Sequence, residues 1–153
     1  MQLVEATRFY TCKYLEALGL LEVVWHGCVT ASELQESLQE VATTLKEREV
    51  NYFLMDDRLS KAAKATDEAW IRSFYMPLLA STGIKRFARI ACPTDIQQHI
   101  LSGIISQIEQ EHHYLFGMKT FRDREEAMEW LFNIEPRKEQ MPYGGDRRAF
   151  SLI

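Results

Sequence analysis

Asn51–Trp70, NYFLMDDRLSKAAKATDEAW, sets an apolar run against an abrupt charged stop at Asp56-Asp57-Arg58, with a helix-capping threonine, Thr66, further on. Tyr52, Phe53, Leu54 and Met55 are apolar in succession, so both faces of this strand are meant for burial. That pattern belongs to an inner strand of a parallel sheet covered on both sides, either by its own helices or by a partner. Charge at the C-terminal end of such a strand stands where open α/β sheets usually place their sites.

Working toward the N-terminus, Phe9 to Leu15 and Leu20 to His26 are short aromatic and β-branched runs joined by Glu16-Ala17-Leu18-Gly19, which reads as a β-hairpin. Thr30 with Glu33 three residues later forms a capping box, and Leu34, Leu38, Val41 and Leu45 follow as the apolar stripe of a helix. Toward the C-terminus, Thr66 caps a second helix with Asp67 and Glu68 in its first turn and Trp70, Ile71, Phe74 and Leu78 as its stripe. Pro77 is expected to kink or shorten it, and Gly83 to end it. Arg86 to Cys92 is the next strand, Pro93-Thr94 opens a helix with Ile96, Ile100, Ile104 and Ile108 inward, and Tyr114 to Phe121 is the last strand. Asp123 caps a final helix carrying Ala127, Trp130 and Leu131.

The predicted fold is α/β: a five-stranded mixed sheet made of a β-hairpin followed by three right-handed βα crossovers and a C-terminal helix, with the hairpin contributing the antiparallel edge. Residues 1–134 form one domain in this reading. Residues 135–153, with Pro136, Pro142 and Gly144-Gly145, form an irregular tail whose Phe150, Leu152 and Ile153 are expected to bury apolar surface.

Composition narrows the function. Lys and Arg total 18 against 22 Asp and Glu, which leaves no basic surface for nucleic acid. No run reaches the length of a membrane span, and Glu5, Arg8, Lys13 and Glu16 interrupt any leader-like segment, so a cytoplasmic protein without membrane insertion is expected. The three cysteines, Cys12, Cys28 and Cys92, lack CxxC spacing and read as buried thiols of a reducing compartment. His112 and His113 diverge by about 100° on a helix and cannot converge on one ion, so neither a metal nor another cofactor is assigned.

Asp56 and Asp57 alternate between faces if the strand persists, which argues against a shared-proton dyad. The simplest role for Asp56 is to accept backbone N–H bonds while Arg58 pairs with a carboxylate. The functional alternative is a polar docking or ligand mouth formed by Asp56, Asp57, Arg58 and Ser60. Acid–base catalysis would need a recruited histidine, lysine or metal set, and none stands beside these residues in the sequence.

The element order, with VVWHGCVTASEL, YFLMDDR, WIRSFYMPLLASTGIKRFARIACP and the closing Phe121, Ala127, Trp130 and Leu131, resembles the STAS-like proteins, relatives of the sporulation anti-anti-sigma factor, over roughly residues 7–134. The resemblance implies a non-enzymatic regulatory or protein-interaction module, with a homodimer as the expected assembly, that meets a protein partner through the surface from Asp56 to Trp70. A small-ligand binder of the same fold, for a nucleotide or lipid, is the alternative it allows. In anti-sigma antagonists a serine in an Asp-Ser-x-Gly motif is the phosphorylation switch. Here the equivalent stretch is Ala65-Thr66-Asp67-Glu68, which lacks the glycine and sets two carboxylates after Thr66.

Overall fold

A computed structural model describes residues 2–62, 68–92, 94–111 and 116–133 of the 153. Thr66, the His112-His113 pair and the tail from Glu135 to Ile153 lie outside the described residues. Among the described residues six strands stand side by side in chain order: β1 (Gln2–Ala6), β2 (Tyr10–Leu15), β3 (Leu20–Val29), β4 (Tyr52–Ala62), β5 (Arg86–Ile90) and β6 (Gly117–Phe121). β1, β2 and β3 pair antiparallel, and β3 through β6 pair parallel.

The expectation of five strands is corrected by β1. Its residues are mostly exposed, so no apolar alternation marks it in the sequence. It pairs with β2 from Gln2↔Tyr14 to Ala6↔Thr11 and takes the antiparallel edge that the hairpin was expected to occupy. The hairpin itself stands, with a 3-10 turn at Glu16–Leu18 and Gly19 at φ +64°, a conformation that suits glycine. The Gly19 carbonyl accepts from both Asn51 N and Tyr52 N at 3.0 Å, which ties the start of β4 to the hairpin turn.

Between the parallel strands run α1 (Ala31–Glu47), a composite helix, and α4 (Ile96–Glu111). In α1 the capping box is complete: the Thr30 hydroxyl accepts from Glu33 N at 3.1 Å and the Glu33 carboxylate accepts from Thr30 N at 3.0 Å. The composite helix joins α2 (Glu68–Trp70), a π-helical turn over Ile71–Tyr75 and α3 (Met76–Ala80). Pro77, expected to kink or shorten this helix, stands in the first turn of α3, directly after the π turn. The turn before it widens, and Met76 N donates to the Ile71 carbonyl. The extra residue rotates the buried stripe to Ile71, Tyr75, Met76 and Leu79, leaving Phe74 exposed.

In α4 the inward isoleucine row is also corrected. Ile96 and Ile100 are 73% and 43% exposed, while Gln98 and Ile108 are buried and Leu101, Ile104 and Ile105 pack on the core. The seat nearest the sheet is taken by an amide, whose partners are described below.

Strand alternation divides the core in two. Leu21, Val23, Phe53, Met55 and Phe87 face α1, the composite helix and α4. Leu20, Leu54, Ala88 and Ile90 face α5 (Arg124–Phe132), which supplies Ala127 and Leu131 from the opposite side. β4 is thus covered on both faces, as its apolar run requires. Among the described residues no helix is long and apolar enough to cross a membrane.

Replacing Thr30 with alanine opens the capping box, and a loss of about 1 kcal/mol is expected. In a chain of this size that lowers the melting temperature by about 2–4 °C, which differential scanning calorimetry measures; Thr30→Ser should keep most of the stability.

Candidate functional site

β4 does not stop at the charged residues. It continues to Ala62, and its pairing with β3 slips at this point: Val24 faces Asp56, but His26 faces Leu59. Asp57 and Arg58 together oppose Trp25, the two-against-one arrangement of a β-bulge. β5 ends at Ile90 opposite Asp56, so among the described residues the remainder of β4 pairs with β3 alone, as a two-stranded ribbon.

The two aspartates separate as alternation demands. Asp56 takes the α5 side and holds Arg58 by three contacts: Arg58 N and Nε to Oδ1 at 3.1 and 3.0 Å, and Nη2 to Oδ2 at 2.8 Å. This fork raises the Arg58 pKa further, with Asp123 and Glu22 adding to it. Beside it Glu22, buried on β3, accepts from Arg124 Nε at 2.8 Å and Nη2 at 3.0 Å, which anchors the first turn of α5. Arg58 and Arg124 both leave about two-fifths of their side chains in solvent, at 39% and 44%.

Asp57 takes the other side, and the two aspartates are equally buried, each 7% exposed. The Asp57 Oδ2 accepts from Arg89 Nε at 2.6 Å, and Arg89 is only 2% exposed. Arg89 Nη1 reaches Ser102 Oγ at 2.6 Å, and Ser102 in turn donates to the Gln98 carbonyl at 2.9 Å. The Gln98 amide closes the network: Nε2 donates to the Asp57 carbonyl at 2.7 Å and the Ser60 carbonyl at 3.4 Å, while Oε1 accepts from Cys92 N at 2.6 Å. An α4 side chain thus takes the place along β4 that β5 has vacated. Burial pushes the Asp57 carboxyl above its ordinary value, and Arg89 opposes that shift. The buried Tyr75 hydroxyl, without a hydrogen-bond partner among the described residues, is raised by burial and then by the charge of Asp57.

Of the residues singled out from the sequence, Asp56, Arg58 and Ser60 gather at the open end of β4, while Asp57 turns into the core. Thr66 is outside the described residues. Arg89, Gln98, Ser102, Glu22 and Arg124 were not anticipated. One signal was available: Arg89 sits between the apolar Ala88 and Ile90 in a short inner strand and needs a buried counter-charge.

The thiols differ from one another. Cys12 is buried, and burial followed by the nearby Glu5 pushes it up to about 12. Cys92, expected to be buried, is partly exposed at the end of β5, with its sulfur 3.2 Å from Thr94 Oγ1, a contact that lowers its pKa. Among the described residues no cluster of three or more His, Cys, Asp or Glu could hold a metal ion.

The profile of the SpoIIAA-like family matches residues 20–132, well over half the chain, and the chain belongs to that STAS-like family. Among solved structures it is similar to an uncharacterized protein from Shewanella loihica with a SpoIIAA-like fold, at 15% identity and a TM-score of 0.46, over 84% of this chain and 90% of the other. No curated protein matches it.

Asp57→Asn leaves the Arg89 guanidinium buried without its counter-charge and is expected to cost about 3–5 kcal/mol. Arg58→Ala removes a guanidinium that is 39% exposed but leaves the buried Asp56 carboxylate without it, so a smaller loss of about 1–3 kcal/mol is expected. Urea denaturation of the two variants distinguishes them, and equal losses would contradict the burial assigned to the Asp57–Arg89 pair. Brief iodoacetamide treatment of the native protein should label Cys92 well before Cys12, as read by peptide mass spectrometry.

Proposed function

We propose that this protein is a regulatory, protein-binding module rather than an enzyme, and that it meets its partner at the open end of β4 through Asp56, Arg58 and Ser60, with Thr66 on the segment that follows. The observation carrying this reading is the combination of Arg58, pre-positioned by the Asp56 fork with 39% of its side chain exposed, and its neighbour Leu59, 64% exposed within a strand. A fixed guanidinium beside a solvent-facing apolar side chain is the chemistry of an interface hot spot. The polar groups beside them are bonded to one another: Asp57 to Arg89, and Gln98 to three main-chain groups. Such commitments suit a rigid recognition surface better than proton transfer. Membership of the SpoIIAA-like family supports the same reading.

In this reading both aspartates act from beneath, Asp57 through Arg89 and Asp56 by holding Arg58, while Arg58 and Leu59 form the surface. The test is co-precipitation from the native host with tagged wild type, Arg58→Ala and Leu59→Asp, each first shown by its unfolding curve to be fully folded at the assay temperature. The two variants are expected to lose the same specific partner that wild type retains. A partner held equally by all three would remove this surface from consideration, and turnover of a substrate that depends on Asp56 would replace the reading with an enzymatic one.

A further inference from the structure

Among the described residues β6 is the parallel edge of the sheet, and its register shows what that edge offers. Gly117 N donates to the Lys85 carbonyl, and the Phe121 carbonyl accepts from Ala91 N, both at 3.0 Å. With Gly117 opposite Arg86 and Phe121 opposite Ile90, the ladder toward β5 uses the N–H and C=O groups of Gly117, Lys119 and Phe121. The N–H and C=O of Met118 and Thr120 consequently point outward, with no strand beyond them among the described residues.

Beside this edge, between β6 and α5, lies a cleft of about 540 Å³. Phe121 and Trp130 wall it, their ring centroids 5.6 Å apart, with Lys119 and Arg122 on the strand side and Glu126 and Glu129 on the helix side. Neither glutamate takes part in an ion pair among the described residues.

We propose that β6 accepts an extended peptide from a protein partner as a seventh strand, bonded to Met118 and Thr120, with one long cationic side chain entering the cleft. Arg86 already lies over the Trp130 ring at 5.3 Å and Lys119 over Phe121 at 5.5 Å, so the incoming side chain would be held by its head meeting Glu126 and Glu129. This surface is separate from the end of β4 and gives the interaction module a second, backbone-reading site.

Two other occupants fit less well. A second copy pairing edge to edge would bring the Lys119 and Arg122 rows of two β6 strands together, and edge lysines oppose such self-pairing. The chain's own continuation after α5 could join β6 as a parallel strand only by a crossover on the α5 face. The three preceding crossovers use the opposite face, so this one would have the reverse, strongly disfavoured hand.

Thr120→Pro tests the proposal because it deletes an outward N–H and leaves the ladder to β5 intact; proline is tolerated on edge strands in that orientation. A phage-displayed random peptide library is selected on the full chain, and enriched members are synthesised and titrated by isothermal calorimetry. The expected result is enrichment of peptides with a cationic residue in an extended context. Their binding should weaken about tenfold or more in Thr120→Pro and weaken again in Glu126→Gln combined with Glu129→Gln, with the unfolding midpoint retained. Amide exchange at Met118 and Thr120 should be fast in the free protein and slow on peptide addition.

The proposal is overturned if no peptide enriches, if enriched peptides bind Thr120→Pro unchanged, or if Thr120 is already protected in the free chain, which would make the protein's own tail the occupant. A dimer in analytical ultracentrifugation that Thr120→Pro dissolves would overturn it in favour of a second copy. Peptides lost in Arg58→Ala but kept in Thr120→Pro would overturn this site while leaving the β4 surface standing.

Discussion

A carboxylate and a guanidinium taken out of water together must find each other or neutralise, and Asp57 and Arg89 do so at 2.6 Å across neighbouring strands. Much of the architecture around them follows from that constraint. Arg89 has hydrogen-bonding capacity beyond its contact with Asp57, so Ser102 on α4 must stand within reach of it. Gln98, one turn earlier, is thereby brought against β4, where it bonds main-chain groups that the short β5 cannot. The pair thus fixes how α4 lies on the sheet, and α4 fixes how far β4 extends.

The same alternation that sends Asp57 inward sends Asp56 to the α5 side, where Glu22, Arg58 and Arg124 share its neighbourhood. Each face of the sheet therefore carries its own charged arrangement at the C-terminal end of the strands. The one on the helix-rich face is sealed and serves rigidity. The one on the α5 face has buried carboxylates, Glu22 and Asp56, and partly exposed guanidiniums, Arg58 and Arg124.

Much of this was legible in the sequence. Capping residues announce their helices because few side chains can satisfy free N–H groups, and Thr30 with Glu33 and Asp123 before α5 did so. The apolar run of β4 announced a strand with two covered faces. Features that depend on a distant partner were hidden. β1 has no apolar pattern of its own and exists because β2 offers it hydrogen bonds. The π turn is one residue of winding that no periodicity reveals until Pro77 is placed. Ile96 and Ile100 looked inward by spacing alone, but the seat nearest the sheet was needed by Gln98. At the candidate site, the Asp56–Arg58 contact could be read from adjacency, whereas Arg89 meets Asp57 across 32 positions that only the fold brings together.

The fork between Arg124 and Glu22 joins residues 102 positions apart. Glu22 stands on the hairpin, the most local element of the sheet, while Arg124 opens the last helix described. During synthesis the hairpin can close as soon as it emerges, yet Glu22 stays without its guanidinium until nearly all of the family-matched segment has been made. Parallel pairings separated by whole helices also close slowly, because loop entropy is lost before contacts repay it. A buried carboxylate that waits for the end of the chain therefore sets a checkpoint in time: the α5 face becomes a finished surface only once the C-terminal helix has arrived to lock it.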